Sequence, residues 1–127
     1  MGEKLKIYIS GKITGDANYR SKFSEAENRL WDGEYIPLNP ASIDLELDNW
    51  PYAMRRALHL MLRADGVALL PDWKKSREAK IEAALAKSIG MPVHPIAEWM
   101  NRKKRRCSGN ADALTPRQCA RIRNGYC

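Results

Sequence analysis

Glu82 is the residue whose surroundings are hardest to explain by solubility alone. Winding residues 76–89 at about 100° per residue puts Ala79, Ala83, Ala86 and Ile89 on one stripe and Arg77, Lys80, Lys87 and Ser88 opposite; Glu82 falls inside the apolar stripe. A carboxylate aimed at a buried face is normally paired or used, because stripping its water is costly. Periodicity leaves a second reading open, in which Glu82 lies at the margin of the stripe and reaches solvent. Three neighbours by topology also carry chemistry. Ser76 and the N–H groups opening its helix suit a hydroxyl or an anion, or serve simply as a cap. Gly11 lets a ligand approach the backbone, or merely turns the chain. Trp73 offers a π-face, or a lid on a small core.

Alternating periods supply the elements that must position these residues. Leu5, Ile7 and Ile9 share one strand face and Lys6, Tyr8 and Ser10 the other, before the glycine-bearing loop 11–16. Phe23, Ala26, Leu30 and Trp31 recur at helical spacing, and Gly33 stands where that helix stops. A short strand, 35–38, runs into Asn39-Pro40-Ala41. Pro51 suits the first turn of a helix reaching about Ala64, and Gly66–Leu70 reads as a strand covered on both faces. After the helix 76–89 and Gly90, residues 91–96 form a last strand disturbed by proline, placed at an edge. The order βαβαβαβ predicts an α/β, Rossmann/flavodoxin-like three-layer sandwich with a parallel sheet ordered 2-1-3-4. Ligands then bind where the winding reverses, between the first and third strands, among loops 11–16, 39–41 and 71–76.

Composition bounds the rest. With 127 residues, 44% hydrophobic and 29% charged, the chain fits one globular domain. No apolar run approaches the roughly 20 residues that span a bilayer, and the charged start lacks a signal peptide's apolar stretch. A cytoplasmic protein without membrane contact is expected. The net charge of +7 belongs to residues 101–127, which carry eight bases and one acid; residues 1–100 balance at 14 against 14. The expected division is therefore a folded domain, 1–100, and a basic, cysteine-containing, partly flexible tail, 101–127. A helix begun near Ala97 continues into the basic run, and Thr115–Arg123 suits another. The tail is expected to be a solvated segment, with weak nucleic-acid contact at low salt as its other use. Cys107, Cys119 and Cys127 form no CxxC pair and have no histidine nearby, so no metal and no cofactor are expected.

Four stretches together carry a resemblance: Ile7-Tyr8-Ile9-Ser10-Gly11-Lys12-Ile13-Thr14-Gly15, Asn39-Pro40-Ala41, Ala64 through Leu70-Pro71-Asp72-Trp73, and Ser76 through Glu82 to Ala86. In this order and spacing they resemble the nucleoside 2-deoxyribosyltransferase superfamily, in particular a small branch of uncharacterised domains frequent in phage and prophage genomes. The resemblance covers roughly residues 4–96. It implies an enzyme acting on the bond between a nucleobase and C1′ of deoxyribose, with a small-molecule deoxynucleoside or deoxynucleotide as substrate and a homo-oligomer as a compatible assembly. It makes Glu82 the nucleophile that holds the sugar covalently, as a carboxylate in a dry site would, and Tyr8 the residue orienting it. Without the resemblance Tyr8 is an ordinary strand aromatic. Substrate-binding positions carried over are Ser10, Gly11, Asn39, Asp72, Trp73 and Ser76.

The sequence departs from the family pattern at three places. Glu78 stands where glycine is usual, Ala57 where an aspartate is usual, and Lys12 where a proline is common. Three function classes follow: a transferase or hydrolase using Glu82, a catalytically altered nucleotide-binding module used for sensing or host-factor interference, and a nucleic-acid-associated protein acting through its basic tail. Base specificity, phosphate state, and transfer against hydrolysis stay open at this level.

Overall fold

The computed structural model describes residues 4–43 and 48–108, with side chains to Arg102. Eight elements alternate along the chain: β1 (Lys6–Ser10), α1 (Tyr19–Asp32), β2 (Ile36–Leu38), α2 (Trp50–Met61), β3 (Gly66–Leu69), α3 (Arg77–Ser88), β4 (Val93–Pro95) and α4 (Ile96–Ser108). The four strands form one parallel sheet in the order β2-β1-β3-β4. Among the described residues no helix is long and apolar enough to cross a membrane.

The period-2 alternation of β1 divides the molecule into two cores. Ile7 and Ile9 pack with Phe23, Leu30, Ile96 and Trp99 on the face covered by α1 and α4. Tyr8 packs with Met61, Val67, Leu69, Ala83 and Ala86 on the face covered by α2 and α3. Both layers are therefore built around a strand that has no solvated side, which is why β1 and β3 are buried along nearly their whole length. Asp65 pins the two strand starts together by accepting a hydrogen bond from the Lys6 backbone N–H at 2.8 Å.

Helix ends follow local chemistry. The Asn49 side chain accepts the N–H of Tyr52 at the start of α2, with Pro51 in its first turn, and Ser76 Oγ accepts the N–H of Ala79 at the start of α3. Gly90, at φ 84°, turns the chain out of α3.

Three sequence expectations need correction. Trp31 is 49% exposed and Ile89 51% exposed, not core. Trp31 closes α1 on its outer side, and Ile89 lies past the end of α3, where the stripe has left the sheet. Ile96 begins α4 instead of ending the last strand. Gly33 follows the last residue of α1, as the sequence predicts, and Glu34 takes the positive φ of 68°. A Cβ at Gly33 would meet the flexible end of Met100, at 2.9 Å from Cε, and Tyr35 Cδ2 at 3.2 Å. Helix α4 carries the chain through Met100 into the basic run as far as Ser108. The further helix expected at 115–123, with Cys119 and Cys127 and the tail beyond residue 108, lies outside the described residues.

Candidate active site

The C-terminal ends of β1 and β3, where the winding reverses, face the second turn of α3, and Glu82 stands between them. It is 4% exposed. Tyr8 Oη donates to Glu82 Oε2 at 2.9 Å and Ser10 Oγ donates to Glu82 Oε1 at 2.7 Å, so each carboxylate oxygen is held by one buried hydroxyl from β1. Burial pushes the carboxyl up to about 7, against the pull of the Ser10 and Tyr8 hydrogen bonds, and the charge of Glu78 adds to the rise. Burial, and then the Glu82 charge, hold the Tyr8 hydroxyl well above its ordinary range, which keeps it a proton-bearing donor. A carboxylate titrating near neutrality, fixed by two donors, is an arrangement suited to nucleophilic or acid–base work.

A pocket of roughly 420 Å³, counted to its open mouth, lies against this carboxylate. Its walls come from β1 (Tyr8 and Ile9), the loop that follows (Gly11, Ile13 and Thr14), Phe23 of α1, Pro40, and one face of α2. Trp50, Ala53, Met54 and Ala57 line it at the spacing i, i+3, i+4, i+7, so a single helix face supplies most of the apolar wall. Glu78, one turn before Glu82, completes it. Its carboxylate accepts from Ser76 Oγ at 3.0 Å, from Thr14 Oγ1 at 3.2 Å, and from the indole N–H of Trp50. Burial raises the Glu78 carboxyl, but its own backbone N–H and these three donors outweigh that and hold it below its ordinary value. The site thus contains two carboxylates driven in opposite directions.

Of the residues singled out by sequence, Tyr8, Gly11 and Glu82 belong to the pocket wall; Ser10, Asn39, Asp72, Trp73 and Ser76 do not. Ser10 lies behind Glu82, fully buried. Asn39 caps a 3₁₀ turn through the Ala41 N–H and donates to Glu27 at 2.8 Å. Asp72 accepts the Lys12 backbone N–H at 3.1 Å and pairs with Lys22, which also pairs with Asp16; this clip ties the loop after β1 to the loop after β3. Trp73 packs against the core containing Tyr8 and Met61. Ser76 is divided between capping α3 and holding Glu78. Gly11 is required by the fold itself, since a Cβ there would stand 2.7 Å from Leu70 Cδ1. Sequence reasoning missed Trp50 and Thr14 as wall residues. The regular spacing of Trp50, Ala53, Met54 and Ala57 was the signal available for Trp50; for Thr14 it was its place in the 11–16 loop, which the sequence puts at the crevice.

No curated protein and no solved structure matches the chain. Residues 5–95 match a family model described as Domain of unknown function (DUF4406), a stretch that runs from before β1 to the end of β4 and includes Tyr8, Ser10, Glu78 and Glu82. The match covers well over half of the chain, which belongs to the DUF4406 family.

Proposed function

We propose that this protein cleaves the bond between a nucleobase and deoxyribose, as a deoxynucleoside or deoxynucleotide N-glycosidase or transferase related to the nucleoside 2-deoxyribosyltransferase superfamily. The observation that carries the reading is Glu82, a buried carboxylate fastened by Tyr8 and Ser10 with its side chain in the wall of a pocket. The motif resemblance of residues 4–96 points the same way.

In the first step a Glu82 oxygen forms a bond to C1′ as the C1′–N bond breaks; the base departs with that electron pair and takes a proton from water. In the second, water or the nitrogen of another base attacks C1′, loses its proton to solvent, and frees the carboxylate. The hydroxyls of Tyr8 and Ser10 fix the carboxylate against rotation, so the attacking oxygen needs little reorganisation. The apolar wall of α2 keeps bulk water from the oxocarbenium-like centre.

Incubation with a panel of deoxynucleosides and their 5′-monophosphates, followed by chromatography for free base and by intact mass for a sugar adduct, tests the proposal. Glu82→Gln should lower the rate at least ~100-fold, or about 2.7 kcal/mol of barrier. Equal rates for wild type and Glu82→Gln would remove the assignment. Binding without any base release favours the second reading, a ligand-binding module. Its support is Glu78, a second charge in the wall, together with Ala57, which offers the pocket only a methyl group.

A further inference from the structure

The opening turn of α3 is built to hold an anion, and the chain supplies that anion itself. The Glu78 carboxylate is seated on three side-chain donors: the hydroxyls of Ser76 and Thr14 and the Trp50 indole N–H. These come from the N-terminus of α3, the loop after β1 and the first residue of α2, so three separate elements converge on one carboxylate. Of the two Glu78 oxygens, Oε2 takes both Thr14 and Trp50, and Oε1 takes Ser76.

No lysine, arginine or histidine lines the pocket among the described residues, whereas two carboxylates do. The nearest cation of α3, Arg77, is laid over the Trp50 ring at 4.1 Å from its centroid, on the exposed side. A phosphate entering the pocket would therefore meet fixed negative charge where donors for it already exist but are taken.

We infer that Glu78 occupies in cis the seat a phosphate would otherwise fill, and so restricts the pocket to an unphosphorylated ligand: the substrate is the neutral deoxynucleoside, not its 5′-monophosphate. The inference rests on the glycosidic reading of the site above. It makes Glu78 a specificity-determining residue that selects by repulsion as much as by contact.

The test uses full-length wild type, Glu78→Ala and Glu78→Gln, with the four common deoxynucleosides and their 5′-monophosphates as probes. Base release gives kcat/KM, and titration calorimetry on a Glu82→Gln background gives affinity without turnover. Thermal stabilisation by inorganic phosphate is a third measurement. Wild type should favour nucleoside over monophosphate at least tenfold, and Glu78→Ala should raise the monophosphate value at least tenfold. Glu78→Ala should be stabilised by inorganic phosphate and wild type should not. Glu78→Gln keeps the packing and removes the charge, so it should narrow the preference even if the alanine variant folds poorly. A wild-type preference for monophosphates, or a ratio unchanged in both variants, overturns the inference while leaving the glycosidic reading intact if base is released. Nucleoside-selective binding with no base release from any substrate overturns that reading and leaves the selectivity standing. Failure of every probe to bind overturns both.

Discussion

Tyr8 Oη lies 2.9 Å from Glu82 Oε2, joining the middle of the first strand to the second turn of a helix 74 residues later. With Ser10 it favours the charged form of a carboxyl that burial pushes up to about 7. Removing either donor leaves burial less opposed. The rate of base release in wild type should therefore rise as pH passes about 7, and in Tyr8→Phe and Ser10→Ala that limb should move to higher pH. Rate against pH, measured for all three, checks this; a residue that only filled space would lower the rate without moving the limb.

The same burial makes stability fall with pH. Between the ordinary value of 4.5 and about 7, folded Glu82 holds a proton that the unfolded chain has released. Stability is therefore greatest below pH 4.5 as far as this group is concerned, declines across that window, and levels above it. The displacement corresponds to about 3 kcal/mol. Glu82→Gln should remove this slope and make the protein more stable than wild type at pH 8, by roughly 1–3 kcal/mol. Urea unfolding at pH 5 and pH 8 measures both effects.

Gly11→Ala should destabilise by roughly 1–3 kcal/mol through overpacking, because its Cβ meets the Leu70 side chain at 2.7 Å. Shortening the neighbour should recover part of the loss. Urea midpoints for Gly11→Ala, Leu70→Val and the double variant supply the comparison, with a favourable coupling expected in the double.

Helix α4 lies beyond the matched family span yet belongs to the core. Trp99 is fully buried, donates its indole N–H to the Val67 carbonyl at 2.9 Å, and meets Tyr35 edge-on at 5.6 Å between ring centroids. A chain cut after Ser108 should unfold cooperatively, and one cut after Pro95 should not. Trp99→Ala in the full chain should cost roughly 3–5 kcal/mol. Circular dichroism with thermal unfolding distinguishes these outcomes.

The sheet order was legible because its two central strands write their burial into sequence: β1 alternates into two cores, and Gly66–Leu69 is apolar throughout. Glu82 was legible because a charge interrupts an otherwise alanine-rich stripe, and the motif resemblance supplied Tyr8. The seat around Glu78 was not, since Thr14, Trp50 and Ser76 come from three segments whose convergence no local period encodes. Gly33 was legible as the stop of α1, whereas the packing of Met100 from α4 against it was not. The stripes on α1 and α3 failed only at their last members, Trp31 and Ile89, where the helices outrun the sheet beneath them.

The alternation along β1 also bears on how the protein's quality can be judged. Ile7 and Ile9 sink into one layer while Tyr8 and Ser10 reach Glu82 in the other. A slip of this strand by a single residue would send both hydroxyls to the wrong side of the sheet and two isoleucines towards the carboxylate. A mispaired isomer thus has no route to the Tyr8–Glu82 hydrogen bond. Under the proposed chemistry, the fraction of a preparation that accepts one equivalent of sugar on Glu82 would count its correctly threaded molecules.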